Sequence, residues 1–470
     1  MIDPTLIRTR VEEAIRLAGA GAWLIGYDIN AIQELVTASN RPITMRGASQ
    51  AIKDFDASNC KGRPMSIFAG GGRGVELACS EAEARARVEH LKEAFSSETH
   101  GGVLAADTVP YRRDPPGASL TWLRRKLEIA KDAALKPGGK LPLNKEGQCE
   151  DCNALHADQR LHGKEKVRLV CSRCFLLTGK ARGTGEVSQP LNEFASDGRI
   201  AAISADGNNF GVFFASLNSL EQMAVASEAV ADMFREAHEE AVQRIAPFRV
   251  LAPVTGGDDI RAFLAPEAVL DYVEALVRGV ERRAGGAGNL GGVLTLAQAQ
   301  AFSRIGVGVG AVVAGDHYPA ARLMEHAHEL ERSAKAICGV ATGARKDASS
   351  AGARSAFDFA ILTSGDAQLG VERPSPVSME AGVWAPALES ARALRKVPGA
   401  QRAVLAERAT LPSVEEFENL FRYQIARSRN WQEWFNVCGV DWTNHTAVRE
   451  HLRRVRVDLL DLLPRQERGS

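Results

Sequence analysis

Apolar residues Leu6, Val11, Ala14, Ile15 and Ala18 recur at helical spacing and stop at Gly19, which predicts an amphipathic helix over 5–19. Residues 22–27 form a short continuous apolar run, the pattern of a buried strand, and deliver Asp28 at its end. Helical patterns follow over 29–39 and 48–55, then strand, glycine turn and strand across 65–77, then a helix over 81–95. The same order returns later. A strand over 200–204 delivers Asp206, a helix over 220–245 gathers Leu220, Met223, Val230, Phe234 and Ala237 near one face, and two β-prone runs at 248–254 and 260–264 flank a glycine turn. A helix from Pro266 to Arg283 closes the set. Sliding Gly71-Gly72 onto Gly256-Gly257 also lays Val88–Leu91 on Val273–Leu276. Two related α/β units are therefore expected, with Arg73 and Gly74 in the first where the second has Asp258 and Asp259.

Between the units, a helix is expected over 119–135, followed by Pro137-Gly138-Gly139. Beyond the second hairpin come a glycine-rich loop over 285–292 and a strand over 304–314. Gly306, Gly308 and Gly310 alternate along that strand, a pattern that lets a helix pack closely over one sheet face. A helix over 319–337 carries His326, His328 and Lys335; with His317 these histidines read as surface or core residues, since no fixed ligand spacing links them. A connection over 341–355 and a strand over 357–363 follow, and after Pro374 the composition turns helical, clearest over 413–430 and 443–463. The expected fold is α+β. Its expected parts are a first α/β unit over 1–110, a helical linker with a four-cysteine module over 111–195, a second α/β unit over 196–370 and a helical region over 371–470.

Length and composition narrow the class. A chain of 470 residues exceeds one ordinary core, and 45% hydrophobic with 25% charged residues is a globular balance. Lys+Arg and Asp+Glu both number 58, so net charge offers no case for nucleic-acid binding; Arg449, Arg453, Arg454 and Arg456 give the last helix a basic face that could meet RNA, although a solvated helix face is the usual reading. No basic-then-apolar leader opens the chain, and no apolar run nears the roughly 18 residues of a membrane span, so a cytoplasmic protein is expected.

The cysteines cluster. Cys149-x-x-Cys152 and Cys171-x-x-Cys174 stand 18 residues apart, the spacing of a closed four-thiolate zinc site with no catalytic duty. A redox dithiol would leave one pair unexplained. His156 and His162 inside the loop read as solvated, and Cys60, Cys79, Cys338 and Cys438 as isolated thiols.

The carboxylates concentrate on Gly256-Gly257-Asp258-Asp259. Two adjacent aspartates on a tight turn repel unless a cation sits between them, which points to Mg2+ or Mn2+, although Gly and Asp also make ordinary turns. Asp206 on a neighbouring strand would converge with Asp258 and Asp259, an arrangement suited to two-metal phosphoryl transfer. The carbonyl of Gly207 is a further candidate ligand, and Lys335 could neutralise triphosphate charge.

Ile25–Ile29, Arg46-Gly47-Ala48-Ser49, Ala69–Gly72, the CxxC pairs, Ala205-Asp206-Gly207-Asn208, Gly256–Asp259 and Phe357-Asp358-Phe359 together resemble the large polymerase/cyclase subunit of type III CRISPR effector complexes, over roughly residues 20 to 365. The resemblance implies two ferredoxin-like palm domains with a zinc-ribbon insert and a C-terminal helical domain. It implies an oligonucleotide cyclase that condenses ATP into cyclic oligoadenylates in antiviral defence, with Asp206, Asp258 and Asp259 as catalytic metal ligands and Zn2+ as a structural ion. Gly207, Asn208, Gly256, Gly257 and Lys335 would contact one nucleotide, and Arg46, Ser49, Gly70, Gly71 and Gly72 the second. The HD nuclease that often opens the family is not expected here. RNA or effector subunits would meet the C-terminal helices, with self-association left open. Two alternatives remain: a GTP-using enzyme like the diguanylate cyclases, whose related hairpin reads GG(D/E)EF, and a dormant scaffold or nucleotide sensor.

Overall fold

Both repeats close into sheets of one topology. The computed structural model describes residues 3–29, 35–115, 117–133, 147–162, 167–183, 190–288, 290–338, 354–362, 376–394, 397, 414–427, 430–454 and 462. Helix α1 (Pro4–Ala18) is capped by the Asp3 carboxylate, which accepts from the amides of Thr5 and Leu6. Then come β1 (Trp23–Ile29), α2 (Pro42–Phe55), β2 (Ser66–Gly70), β3 (Arg73–Ala78), α3 (Glu81–Thr99) and β4 (Leu104–Pro110). The strands pair in the order β2-β3-β1-β4, all antiparallel, the βαββαβ arrangement of a ferredoxin-like unit. Helix α4 (Ala118–Ala133) covers β4 and β1. Gly26 makes room for it, since a Cβ there would stand 2.8 Å from Leu123.

A small hairpin of β5 (Gln159–His162) and β6 (Val167–Val170) precedes α5 (Ser172–Gly183). The second unit follows with β7 (Arg199–Asn208), α6 (Phe210–Ala215), α7 (Leu220–Arg244), β8 (Val250–Gly256), β9 (Asp259–Leu264), α8 (Val269–Gly286), α9 (Leu296–Ser303), β10 (Gly306–Gly315) and α10 (Ala320–Ile337). Its strands run β10-β7-β9-β8, the order of the first sheet, and β11 (Ala356–Ile361) and β12 (Val377–Ser378) extend the β10 edge, β11 parallel to β10. Helices α11 (Ala381–Ala393), α12 (Val414–Arg427), α13 (Asn430–Val437) and α14 (His445–Arg454) make the helical C-terminus around buried Trp384, Trp431, Trp434 and Phe435.

The α+β class, the two palm-like sheets and the helical C-terminus agree with the sequence pattern. Two details differ. Helix α8 continues through Gly285 and Gly286, and α9 lies within residues with no expected element. Its signal is present as Thr295-x-x-Gln298, a capping box in which each side chain bonds the other's backbone. Of the expected helix over 29–39, residue 29 ends β1, 35 and 36 are helical, 37–39 turn and bend, and 30–34 lie outside the described residues, as do most of the connection over 341–355 and the end of the last helix.

The apolar faces join the units. Helix α1 packs on α7, β2 on α7 and α2 on β8, so one buried cluster runs from Ile7 and Val11 through Ile67 to Val225 and Ala229. No helix among the described residues is long and apolar enough to cross a membrane.

Candidate active site

Register brings the acids together. Asp206 on β7 lies directly opposite Asp259 on β9, and Asp259 pairs with Gly256 across the hairpin, which leaves Gly257 and Asp258 as its two-residue tip. Gly257 has φ 62°, a left-handed value that glycine adopts without strain, and a Cβ added there would meet nothing within 4 Å. The tip is thus bare on the side where a ligand would approach. Burial pushes the Asp258 carboxyl up to about 7; the Asp206 charge adds to this and Arg73 opposes it. Burial likewise pushes Asp259 up to about 6, against the pull of Arg261. Arg261, almost fully buried, stands 3.5 Å from Asp259 through Nε, yet Asp259 Oδ1 is buried without a hydrogen-bond partner. A buried carboxylate oxygen without a hydrogen bond, amid mutually repelling acids, fits a divalent cation bound by hard oxygen ligands.

The glycine stripe of β10 positions the cationic side of the site. A Cβ at Gly310 would stand 2.1 Å from the Ala327 carbonyl and 2.2 Å from the Glu331 amide, and one at Gly308 would stand 2.5 Å from Lys335 Cγ. With these positions bare, α10 settles onto the sheet face, as the alternation predicts. Two side chains that sequence reasoning passed over, Ser204 and Glu331, are buried by this contact. Ser204 Oγ donates to Glu331 Oε2 at 2.7 Å, His328 Nδ1 lies 3.0 Å from the same oxygen, and Lys335 Nζ is 3.5 Å from Oε1. Burial would raise the Glu331 carboxyl, but His328, Lys335 and Ser204 more than offset it and hold it below its ordinary range. Lys335 Nζ also bonds Asp206 Oδ2, and Asp206 with Glu331 keeps the ammonium charged against its own burial. The histidines take single roles, as expected of surface or core residues: His328 buttresses Glu331, His326 lies beside Tyr318, and His317 is exposed.

Gly207 of β7 pairs with Val307 of β10 and is covered by the Phe210 ring, which a Cβ there would strike at 1.7 Å. The Asn208 side chain is turned to the Arg354 carbonyl at 3.5 Å.

The first unit repeats the hairpin in a register one residue away from the sequence alignment. Gly70 pairs with Arg73 as Gly256 pairs with Asp259, so Gly71 and Gly72 form the tip. Gly71, with φ 65°, matches Gly257, Gly72 stands for Asp258, and Arg73 stands for Asp259. The sliding alignment matched adjacent glycines and ignored the strand pairing that fixes the turn. The tips meet: a Cβ at Gly71 would lie 3.5 Å from the Gly257 amide. Behind the first tip, buried Asp56 accepts from the Gly72 amide at 3.0 Å and from the Tyr27 hydroxyl at 3.3 Å, and burial raises its carboxyl to about 6.

Helix α2 carries the other first-unit candidates. Ser49 is buried, Arg46 is half-buried with its guanidinium pushed down by burial, and Lys53 donates to Thr255 Oγ1, one residue before the acidic hairpin, at 3.3 Å. The other face of α2 meets the cysteine module: a Cβ at Gly47 would stand 1.8 Å from the Leu177 carbonyl.

The four cysteines converge, with the Sγ atoms of Cys149, Cys152, Cys171 and Cys174 all within 4.8 Å of one another. Surrounded by the other three sulfurs, the Cys152 thiol is held far below its ordinary range and that of Cys174 far above it. Four sulfurs so close cannot ionise together without a cation, and the all-thiolate donor set fits Zn2+. His156 and His162 are exposed and lie outside the quartet. Asp151, between the first two cysteines, is fully buried; it bonds Arg168, and Thr44 at the start of α2 donates to it at 3.3 Å.

Residues 199–340 match the family model described as Cas10/Cmr2, second palm domain. No curated protein matches the sequence. Among solved structures, Csm1 of T. onnurineus superposes with a TM-score of 0.54 at 16% identity, over 94% of this chain and 68% of that one. A Csm1–Csm4 cassette in complex with cA4 gives 0.53 at 14% identity, over 97% and 69%. One in complex with AMPPNP gives 0.52 at 14%, over 99% and 72%. The match to an apo Csm1–Csm4 cassette spans 55% of that chain's length. At these identities the likeness is one of fold.

Proposed function

We propose, from the premise that residues 199–340 make this chain a member of the Cas10-like palm-subunit family, that it is a metal-dependent nucleotidyltransferase condensing ATP into cyclic oligoadenylates with release of pyrophosphate, in antiviral defence. The observation that carries the reading is the difference between the two hairpins. Both keep the glycine turn, and one alone places Asp258 and Asp259 beside Asp206, with a buried Asp259 oxygen that has no hydrogen bond and faces Arg261. The turn does not need the acids, so phosphoryl chemistry is the better account of them. The cassettes solved with AMPPNP and with cA4 support an adenine nucleotide as substrate and a cyclic product.

Asp206, Asp258 and Asp259, with the Gly207 carbonyl, would hold Mg2+ or Mn2+. Bound there, the cation supplies charge neutralisation and a lowered pKa at an attacking hydroxyl. Bare Gly257 lets a triphosphate approach the backbone beside Gly256, which packs on Gly71, and Asn208 flanks it. Lys335, held by Glu331 and bonded to Asp206, offers a fixed positive charge to the phosphates. The second nucleotide would lie against the first palm, with Arg46 and Ser49 of α2 and the turn of Gly70, Gly71 and Gly72 as its contacts, its hydroxyl directed at the α-phosphorus of the first. The tip-to-tip contact of Gly71 and Gly257 supports a reading in which the two sites lie side by side and one nucleotide is oriented on the other. We place Zn2+ on the cysteine quartet as a structural ion, the protein in the cytoplasm, and an effector subunit or RNA on the C-terminal helices.

Purified protein given Mg2+ or Mn2+ and labelled ATP should release pyrophosphate and form a cyclic oligonucleotide, read by mass spectrometry. Asp258→Ala with Asp259→Ala should abolish it, and product persisting in the double variant would sink the assignment. Turnover of GTP alone would support a diguanylate-cyclase-like enzyme. No product under any condition, added RNA included, would support a scaffold or sensor.

A further inference from the structure

The two palms carry the same three-part constellation with one charge reversed. In the second, Asp206 at the end of the first strand faces Asp259 across the ladder and pairs with Lys335, from the helix after the fourth strand. In the first, Asp28 at the end of β1 faces Arg73 across the ladder, with Arg73 Nε 3.2 Å from Asp28 Oδ1. Lys131, on the helix after β4, is 2.7 Å from Asp28 Oδ2. The fold thus repeats the acid and the lysine, and puts a guanidinium where the second palm has its metal-ligating acid. Such a site cannot hold a divalent cation in the same way. It is built to hold an anion.

Where that guanidinium lies decides which anion. Arg73 follows the Gly71-Gly72 tip, Asp258 follows Gly257, and the tips are in contact, so Arg73 and the acidic site border one seam. Its side chain remains 64% exposed although Nε is bonded to Asp28. Among the described residues no other hydrogen bond engages it, which leaves both terminal nitrogens for a ligand. After Asp28, the charges that act on it most are Asp258 and Asp206, from the other palm. A planar guanidinium anchored at Nε presents a two-pronged donor suited to phosphate oxygens.

We propose that Arg73 reaches across the seam from the first palm and binds the β- and γ-phosphates of the nucleotide held at Asp206, Asp258 and Asp259, stabilising pyrophosphate as it leaves. The inference rests on the nucleotidyltransferase reading. In the step concerned, the hydroxyl oxygen of one nucleotide bonds to the α-phosphorus of the other, and the bond from that phosphorus to the α–β bridging oxygen breaks. The electron pair stays on the departing pyrophosphate, and the hydroxyl proton passes to water. Arg73 donates to the charge that appears on the leaving group, while Asp28, itself held by Lys131, fixes the angle of the fork.

The test uses the full chain with Arg73→Ala and Arg73→Lys. Calorimetry with inorganic tripolyphosphate and Mg2+ should show binding to the unaltered protein, weakened about tenfold or more by Arg73→Ala, in line with loss of one charged phosphate contact. Steady-state pyrophosphate release from ATP should lose roughly a hundredfold in kcat, with a smaller change in KM, as for removal of one preorganised donor to a developing charge. Arg73→Lys should recover part of both. Tripolyphosphate binding and kcat unaltered in Arg73→Ala, or no tripolyphosphate binding to the unaltered protein, would overturn the inference. If the unaltered protein turns over no nucleotide while tripolyphosphate binding still depends on Arg73, the reaction assigned above fails and the anion site stands.

Discussion

Asp56 illustrates how a single buried residue ties the first hairpin to pH. It is 2% exposed, accepts from Gly72 and Tyr27, and titrates near 6 against an ordinary 3.8. A carboxyl whose folded pKa is raised favours the neutral form in the native state, so the ionised group costs stability above pH 6 and the cost disappears as pH falls toward 3.8. Between pH 7.5 and 4.5 the native state should therefore gain about 2 kcal/mol that Asp56→Asn does not gain, at 1.36 kcal/mol per unit. Urea unfolding of both proteins at the two pH values checks this, and equal gains would refute it. Nothing in the sequence around Asp56 signals burial; its role comes from the Gly72 amide arriving from another element. Asp206, Asp258 and Asp259, by contrast, stand out in the sequence because like charges crowd on glycine turns and strand ends.

At the scale of elements, packing distances decide function. Helix α10 delivers Lys335 and Glu331 because Gly308 and Gly310 of β10 place no side chain under that part of it. Gly310→Ala would drive a Cβ into the α10 backbone, which cannot give as a flexible side chain does, so a loss of about 1–3 kcal/mol is expected, typical of overpacking. The melting temperature should fall, and nucleotide affinity with it, because Lys335 moves with the helix; unaltered melting and affinity would refute the account. The alternation Gly306, Gly308, Gly310 announces close packing in the sequence. It does not announce which helix residues fill the space. Ser204 and Glu331 are ordinary residues in the sequence and become a buried hydrogen-bonded pair only when β7 and α10 meet.

Across the whole molecule, one line of contacts runs from the cysteine module to the acidic hairpin. Asp151 fastens the first cysteine knuckle to Thr44, Gly47 seats α2 against Leu177, and Lys53 at the far end of α2 reaches Thr255. Metal analysis should find one equivalent of zinc, lost with Cys149→Ser. Zinc loss should raise amide hydrogen exchange over residues 42–55 while leaving β7 and β10 protected, and uniform protection in both states would refute the coupling. The sequence by itself determined much of this protein. Periodicity marked the repeated strands and helices, CxxC spacing marked the cysteine quartet, and the Gly-Gly-Asp-Asp turn marked the acidic hairpin, because each of these depends on neighbours within a few residues or on a fixed spacing of like side chains. Tertiary structure decided the rest. Strand pairing moved the hairpin equivalence by one residue and set Arg73, with its own Asp28 and Lys131, in the place of Asp259. Cross-strand register and the meeting of two glycine tips are relations between residues far apart in the chain, and no local pattern encodes which charge will face which.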